Sequence, residues 1–226
     1  MQTLTLSNRA TLRANYDARR AAHRALVERL AVSVPSQNLH RWARDLGFWE
    51  DGKPSLEDPH QLRLLMDFAV HDQLSCGKLD FGNLCGDADS NADPIQSDVI
   101  SAMRHTRFTI LHVQEVIGDL GAWVDDLFYG ERYLVCDIGL GSEANIGRGL
   151  ATRVLMFPDF VMTTGAPIGV PPTLVNLLSG TPDGEQSGGI KAAMCNYPPQ
   201  TLRMLAIQIT RAAFSRSAQQ GGLVRQ

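Results

Sequence analysis

The chain has 226 residues, of which 44% are hydrophobic and 20% charged, with a formal net charge of −3. This is globular composition, and the length suffices to bury a core without staples. It excludes a protein whose whole surface embraces nucleic acid, leaving room only for a local basic patch, and no apolar run reaches the about 20 residues a membrane helix needs.

The first segment, MQTLTLSNRATLR, has no basic stretch leading into an apolar one, so no secretion signal is expected. A cytoplasmic location with reduced thiols follows. The cysteines Cys76, Cys85, Cys136 and Cys195 include no CxxC pair, which argues against a zinc site made from them alone. Cys136 and Cys195 read as small core residues.

The first third reads as helices. Between Asn8 and Ala31 the apolar residues Leu12, Tyr16, Ala22, Leu26 and Leu30 recur at roughly helical spacing. The opposite face carries Arg13, Arg19, Arg20, Arg24 and Arg29; Asp17 and Glu28 interrupt it, so it reads as a solvated face. SQNLHRWARDLGFW is a second helix that Gly47 weakens or ends. EDGKPSLEDPH is a turn-rich link. Asp58-Pro59 supplies an N-cap and first helical position for a third helix through HQLRLLMDFAVHDQL.

Near Arg107 the period changes from helical to two. RFTILHVQEVI, AWVDDLF, ERYLVCDI, GLATRVLMF and DFVMTTG are five short candidate strands without helix-length segments between most of them. That pattern predicts an antiparallel sheet or small barrel. The tail returns to helix in PPTLVNLLSG and PPQTLRMLAIQITRAAFSR, around a loop, TPDGEQSGG. The expected fold is α+β, with N-terminal helices, a central small antiparallel β-sheet or barrel-like module, and a C-terminal helix. The corresponding domains are a helical region over 1–106, a β-module over 107–170, and a helical segment over 171–226 with a flexible loop at 181–190.

Three stretches hold residues that chemistry could use. In DADSNADPIQSD, oxygen donors Asp87, Asp89, Asn91, Asp93 and Asp98 fall at the first, third, fifth, seventh and twelfth positions of a calcium loop. Ala92 stands where such a loop needs Gly, and Pro94 follows. Asp93, Pro94 and Gln96 instead form a capping-box pattern opening a helix, PIQSDVISAMRH. His71-Asp72 resembles the adjacent pair of the His-Asp metal phosphohydrolases, with His40 as the earlier histidine and Asp98 as the later aspartate. Those folds are wholly helical, whereas here the period turns to two near Arg107. VCDIGLGSEANIG is similar to the first motif of nucleoside-cofactor methyltransferases at Asp137, Gly139 and Gly141, but Glu143 occupies the third glycine position. Too few strand–helix units remain for a doubly wound domain.

Residues 62–170 also carry a wider pattern. It comprises Asp67-Phe68, then Gly121, Asp126-Leu127, Gly130-Glu131, Val135, Asp137, Gly147, Ala151, Arg153-Val154 and Gly165. This resembles a poorly characterised family of prokaryotic proteins. Some of its members end in a cysteine-rich zinc motif like that of the secretion motor ATPase, which is absent here. The resemblance implies a compact β-module in which DIGLGSEANIG is a loop between strands. Asp126, Glu131, Asp137 and Arg153 become turn or cross-strand partners, with Arg153 paired to a carboxylate.

These readings favour a non-catalytic cytoplasmic binding or adaptor protein without a cofactor, whose partner is a protein or nucleic acid. Phe128, Tyr129 and Arg153 are the binding-surface candidates; Trp123 is a further aromatic that more naturally joins the core. The alternative is the metal-dependent phosphohydrolase using His40, His71 and Asp72. Neither reading fixes an oligomeric state.

Overall fold

The computed structural model describes residues 6–75, 93–179 and 199–221. The expected loop at 181–190 lies outside them. Among the described residues, four helices come first: α1 (Leu6–Ser33), α2 (Ser36–Leu46), α3 (Pro59–Ser75) and α4 (Pro94–Arg104). In α1 the buried positions Tyr16, Arg20, His23, Leu26 and Leu30 form one stripe, stepping three or four residues at a time. Helix α2 buries Trp42, Ala43 and Leu46 and stops at Gly47, whose φ of 82° lies in the left-handed region that closes helices.

Between α2 and α3, the segment read as a turn-rich link contains a minimal hairpin, β1 (Trp49–Glu50) and β2 (Lys53–Pro54). Its turn is Asp51-Gly52, both at positive φ, the pair that type I′ turns favour. The Asp58 carboxylate then caps α3, accepting from the N–H groups of His60 at 2.6 Å and Gln61 at 2.9 Å. Helix α3 is buried on most of its circumference, with Leu64, Leu65, Phe68, Ala69 and Val70 in the core. Asp93 caps α4 as the capping pattern predicts, accepting from the Ile95 N–H at 3.0 Å.

The strands β3 (Arg107–Val116), β4 (Gly121–Asp126), β5 (Arg132–Cys136), β6 (Gly149–Met156), β7 (Val161–Thr163) and β8 (Ile168–Val170) follow. The first five are the five expected strands. Their order is β3-β4-β5-β7-β6, and β6 pairs back to β3, closing a barrel. Strands β3, β4 and β5 are hairpin-linked and β6 returns beside β3, which is a Greek key. Among the described strands only β5 and β7 pair in parallel. A five-stranded closed Greek key of this order has the connectivity of the oligonucleotide/oligosaccharide-binding type of barrel. Strand β3 serves both neighbours because a register shift between Val113 and Glu115 bends it. Strand β8, which was not expected from the sequence, adds to β6 outside the ring. Helices α5 (Pro172–Ser179) and α6 (Pro199–Gly221) complete the described chain.

The described residues form two hydrophobic cores. Leu111, Val113, Ala122, Val124, Val135 and Val154 cluster together with Leu140 from the turn after β5. Their alternate spacing along each strand places them inside the barrel. The strand residues of opposite parity, such as Ile110, Leu134, Ala151 and Leu155, join the larger core shared with the helices. Strand β6 is buried on both faces for this reason, and only Met156 emerges.

The barrel wall is tied at one corner by Asp126, which is 1% exposed. Its carboxylate accepts from the N–H groups of Phe128 and Tyr129, each at 3.0 Å, from the Thr109 hydroxyl, and from the Tyr133 hydroxyl at 2.7 Å. Arg107 approaches the same carboxylate at 3.5 Å and also bonds Glu131. One side chain thus fixes the β4–β5 turn and links three strands. We expect Asp126→Ala to destabilise the protein by about 3–5 kcal/mol, because it strands buried donors and a cation. Asp126→Asn, which keeps an acceptor, is expected to cost less, and urea unfolding midpoints read both.

Candidate functional site

Where α1 and α3 lie on the barrel, polar side chains are buried together. Arg20 donates to the Thr163 carbonyl at 2.7 Å and to the Asp137 carboxylate at 3.1 Å, while the Thr163 hydroxyl also bonds Asp137. Asp137 in turn accepts from the Gly139 N–H at 3.0 Å and shapes the turn after β5. A second pair joins α3 to β6: the Arg153 Nε donates to Asp67 at 3.2 Å, with both residues at most 9% exposed. The Arg153 guanidinium also lies over the Phe68 ring, 5.6 Å from its centre.

His71 on α3 places its Nε2 3.8 Å from Asp67 and stacks on His23 of α1, with ring centres 5.6 Å apart and planes 14° from parallel. Burial holds both imidazoles neutral. It lowers the pKa of His23 to about 3, helped by His71 and Arg20, and lowers that of His71 well below its ordinary value, helped by Arg153. The thiol of Cys136 is pushed up to about 12 by burial and by Asp137, which makes it a poor nucleophile.

The residues of the phosphohydrolase pattern meet different neighbours. His40 is exposed and packs edge-on against Trp49 at 5.3 Å, while His71 sits in the core beside His23. The Asp72 side chain lies outside the described residues. Asp98 accepts from Arg19 at 2.8 Å and so ties α4 to α1. Among the described residues no group of three His, Cys, Asp or Glu side chains is arranged to hold a metal ion. Of the calcium pattern, Asp87, Asp89 and Asn91 lie outside the described residues.

Asp137, Gly139 and Gly141 form part of a turn in a closed barrel, not the mouth of a doubly wound sheet. Gly141 packs so tightly that an added Cβ would sit 1.8 Å from the Gly118 carbonyl oxygen. The glycine serves chain packing there. Arg20 corrects the reading of the α1 arginines as a solvated face: it is 8% exposed and is clamped to Asp137. Arg20 and His23 could have been found in the sequence, because both interrupt the apolar stripe of Tyr16, Leu26 and Leu30.

The binding-surface candidates separate. Phe128, expected on an exposed face, is 2% exposed and belongs to the larger core, since the turn capped by Asp126 points its ring inward. Arg153 is buried against Asp67. Tyr129 is half-buried beneath Arg107, whose guanidinium lies 4.1 Å from the ring centre. Trp123 on β4 is likewise half-buried and packs against the larger core, as its expected core membership implied. It lines a groove of about 620 Å³ with Tyr133 and Leu134 of β5, the Met156–Val161 connection, and Asn8 and Asn15 of α1. Arg132 borders the groove and is bonded twice to Asp125, at 2.7 and 3.3 Å. Nothing in the sequence marks Asn8, Asn15 or Met156, which reach the groove only through tertiary packing.

Two predictions follow from the buried polar groups. Removing one partner of the Asp67–Arg153 pair leaves an uncompensated buried charge, so Arg153→Ala should cost about 3–5 kcal/mol. The combined Asp67→Leu, Arg153→Met protein should recover most of that loss in thermal melts. The histidines make stability depend on pH. In the unfolded chain each takes up a proton near pH 6.5, whereas in the fold both stay neutral to lower pH. Stability is therefore full above about pH 6.5 and falls on acidification by up to about 1.4 kcal/mol per pH unit for each histidine. His23→Phe should remove about half of this dependence between pH 7 and pH 5.

No curated protein and no solved structure matches the chain. A family model described as a family of unknown function, DUF7986, matches residues 10–178. That span runs from α1 through the whole barrel into α5 and contains both buried ion pairs and every lining residue of the groove except Asn8. The chain belongs to this DUF7986 family of unknown function.

Proposed function

We propose that the protein is a non-catalytic, cytoplasmic binding or adaptor protein that takes an extended segment of a protein partner in the groove across β4 and β5. The observation that carries this reading is the groove itself, with half-buried Trp123 and exposed Met156 on its apolar surface and Asn8 and Asn15 on its polar rim. An aromatic anchor in an apolar centre with amide groups around it is the usual anatomy of a binding hot spot. Barrels of this connectivity commonly receive extended ligands on the face of their second and third strands and the adjoining loops. The groove occupies the equivalent position, over β4, β5 and the β6–β7 connection.

Charge favours a protein over a nucleic acid. Arg132 is engaged by Asp125, and Asp159 lines the same groove, so no cluster of cations is available for phosphates. Among the described residues no helix is long and apolar enough to cross a membrane.

Trp123→Ala should fold with an unchanged circular dichroism spectrum and bind the partner at least about 30-fold more weakly. Affinity capture from extract, with and without nuclease, is the measurement. Nuclease-sensitive capture would transfer the reading to nucleic acid. Capture that Trp123→Ala leaves intact would place the contact elsewhere.

A further inference from the structure

A separate cleft of about 720 Å³ opens where α1, α3, the turn after β5 and the β7–β8 connection converge. It shares no lining residue with the groove. Its size falls within the range typical of small-molecule sites. Tyr16, Val27, Met66 and Ala166 supply apolar wall, and two large apolar side chains stand exposed at its edge, Leu62 at 48% and Ile138 at 49%.

Two features of this cleft are not explained by folding. The first is His23, a lining residue only 3% exposed, whose Nε2 is buried and has no hydrogen-bond partner among the described residues. A buried nitrogen left unsatisfied costs stability, so such atoms commonly serve a ligand or an ordered water. The second is charge. Arg20 and Asp67 are neutralised by Asp137 and Arg153. The exposed Arg24 and Arg63 also line the cleft, and among the described residues neither makes an ion pair, while Glu28 is the one further carboxylate in the lining. Beyond the two fixed pairs, the lining is cationic by one charge.

We propose that this cleft binds a small amphiphilic anion. The apolar body lies against Val27, Leu62, Met66 and Ile138. Arg24 and Arg63 attract the negative charge, and His23 Nε2 gives the one directed hydrogen bond to a ligand oxygen. Because burial keeps His23 neutral, it contributes direction and not charge.

The test is a titration of the full chain with decanoate, decanol and decyltrimethylammonium, which share a tail and differ in the charge of the head. Calorimetry gives the affinities, and methyl resonances of Val27, Leu62 and Ile138 report the site. Decanoate should shift those methyls and bind about tenfold more tightly than decanol at low salt, with the cation weakest. Arg24→Gln with Arg63→Gln, both at exposed positions, should erase the preference for the anion and leave decanol binding unchanged. His23→Phe, which keeps a ring against His71, should weaken decanoate about tenfold. Equal binding of the three compounds, or no saturable shift of the cleft methyls, overturns the proposal. Decanoate binding unaffected by His23→Phe overturns the role of that residue.

Discussion

A carboxylate and a guanidinium buried together fix how the helices sit on the barrel. Asp67 projects from α3 and Arg153 from β6, and the two meet at 3.2 Å with water excluded. Either group alone would be costly to bury, so neither surface is complete without the other. The contact selects one placement among the many that apolar packing would tolerate. The clamp of Arg20 on Asp137 and Thr163 repeats the device between α1 and the turn after β5, so both long N-terminal helices are keyed to the barrel by charge.

This keying explains where the recognition surfaces arise. Helix α1 runs over the barrel with Arg9 and Arg13 bonded around the β3–β4 turn, to Ile117 and Asp119, while Arg20 is held further along. The groove forms where the first turns of α1 pass beside Trp123 and the β6–β7 connection. The cleft forms where the middle of α1 and α3 diverge above Asp137. Both are lined by residues far apart in the chain.

Much of the scaffold was legible in the sequence, for local reasons. Asp58-Pro59 and Asp93-Pro94 specify helix starts through groups two or three residues apart, and Gly47 specifies a stop. The five barrel strands declare themselves by their period. Strand β8 escaped notice because three residues carry no period, and the Asp51-Gly52 hairpin because its strands are two residues each. The pairing of Arg153 with a carboxylate was expected, but its partner on α3 lies 86 positions away, so no local rule names it.

The sequence by itself determined the element types, the caps and the alternation that sorts each strand into an inner and an outer face, because these depend on neighbours within a few residues. The tertiary structure alone decided which polar residues are buried, that Phe128 is fully buried while Trp123 is only half-buried, and that His23 has a nitrogen with no hydrogen-bond partner among the described residues. Burial and pairing are set by contacts across long sequence separations, where one residue's environment depends on the placement of every element around it.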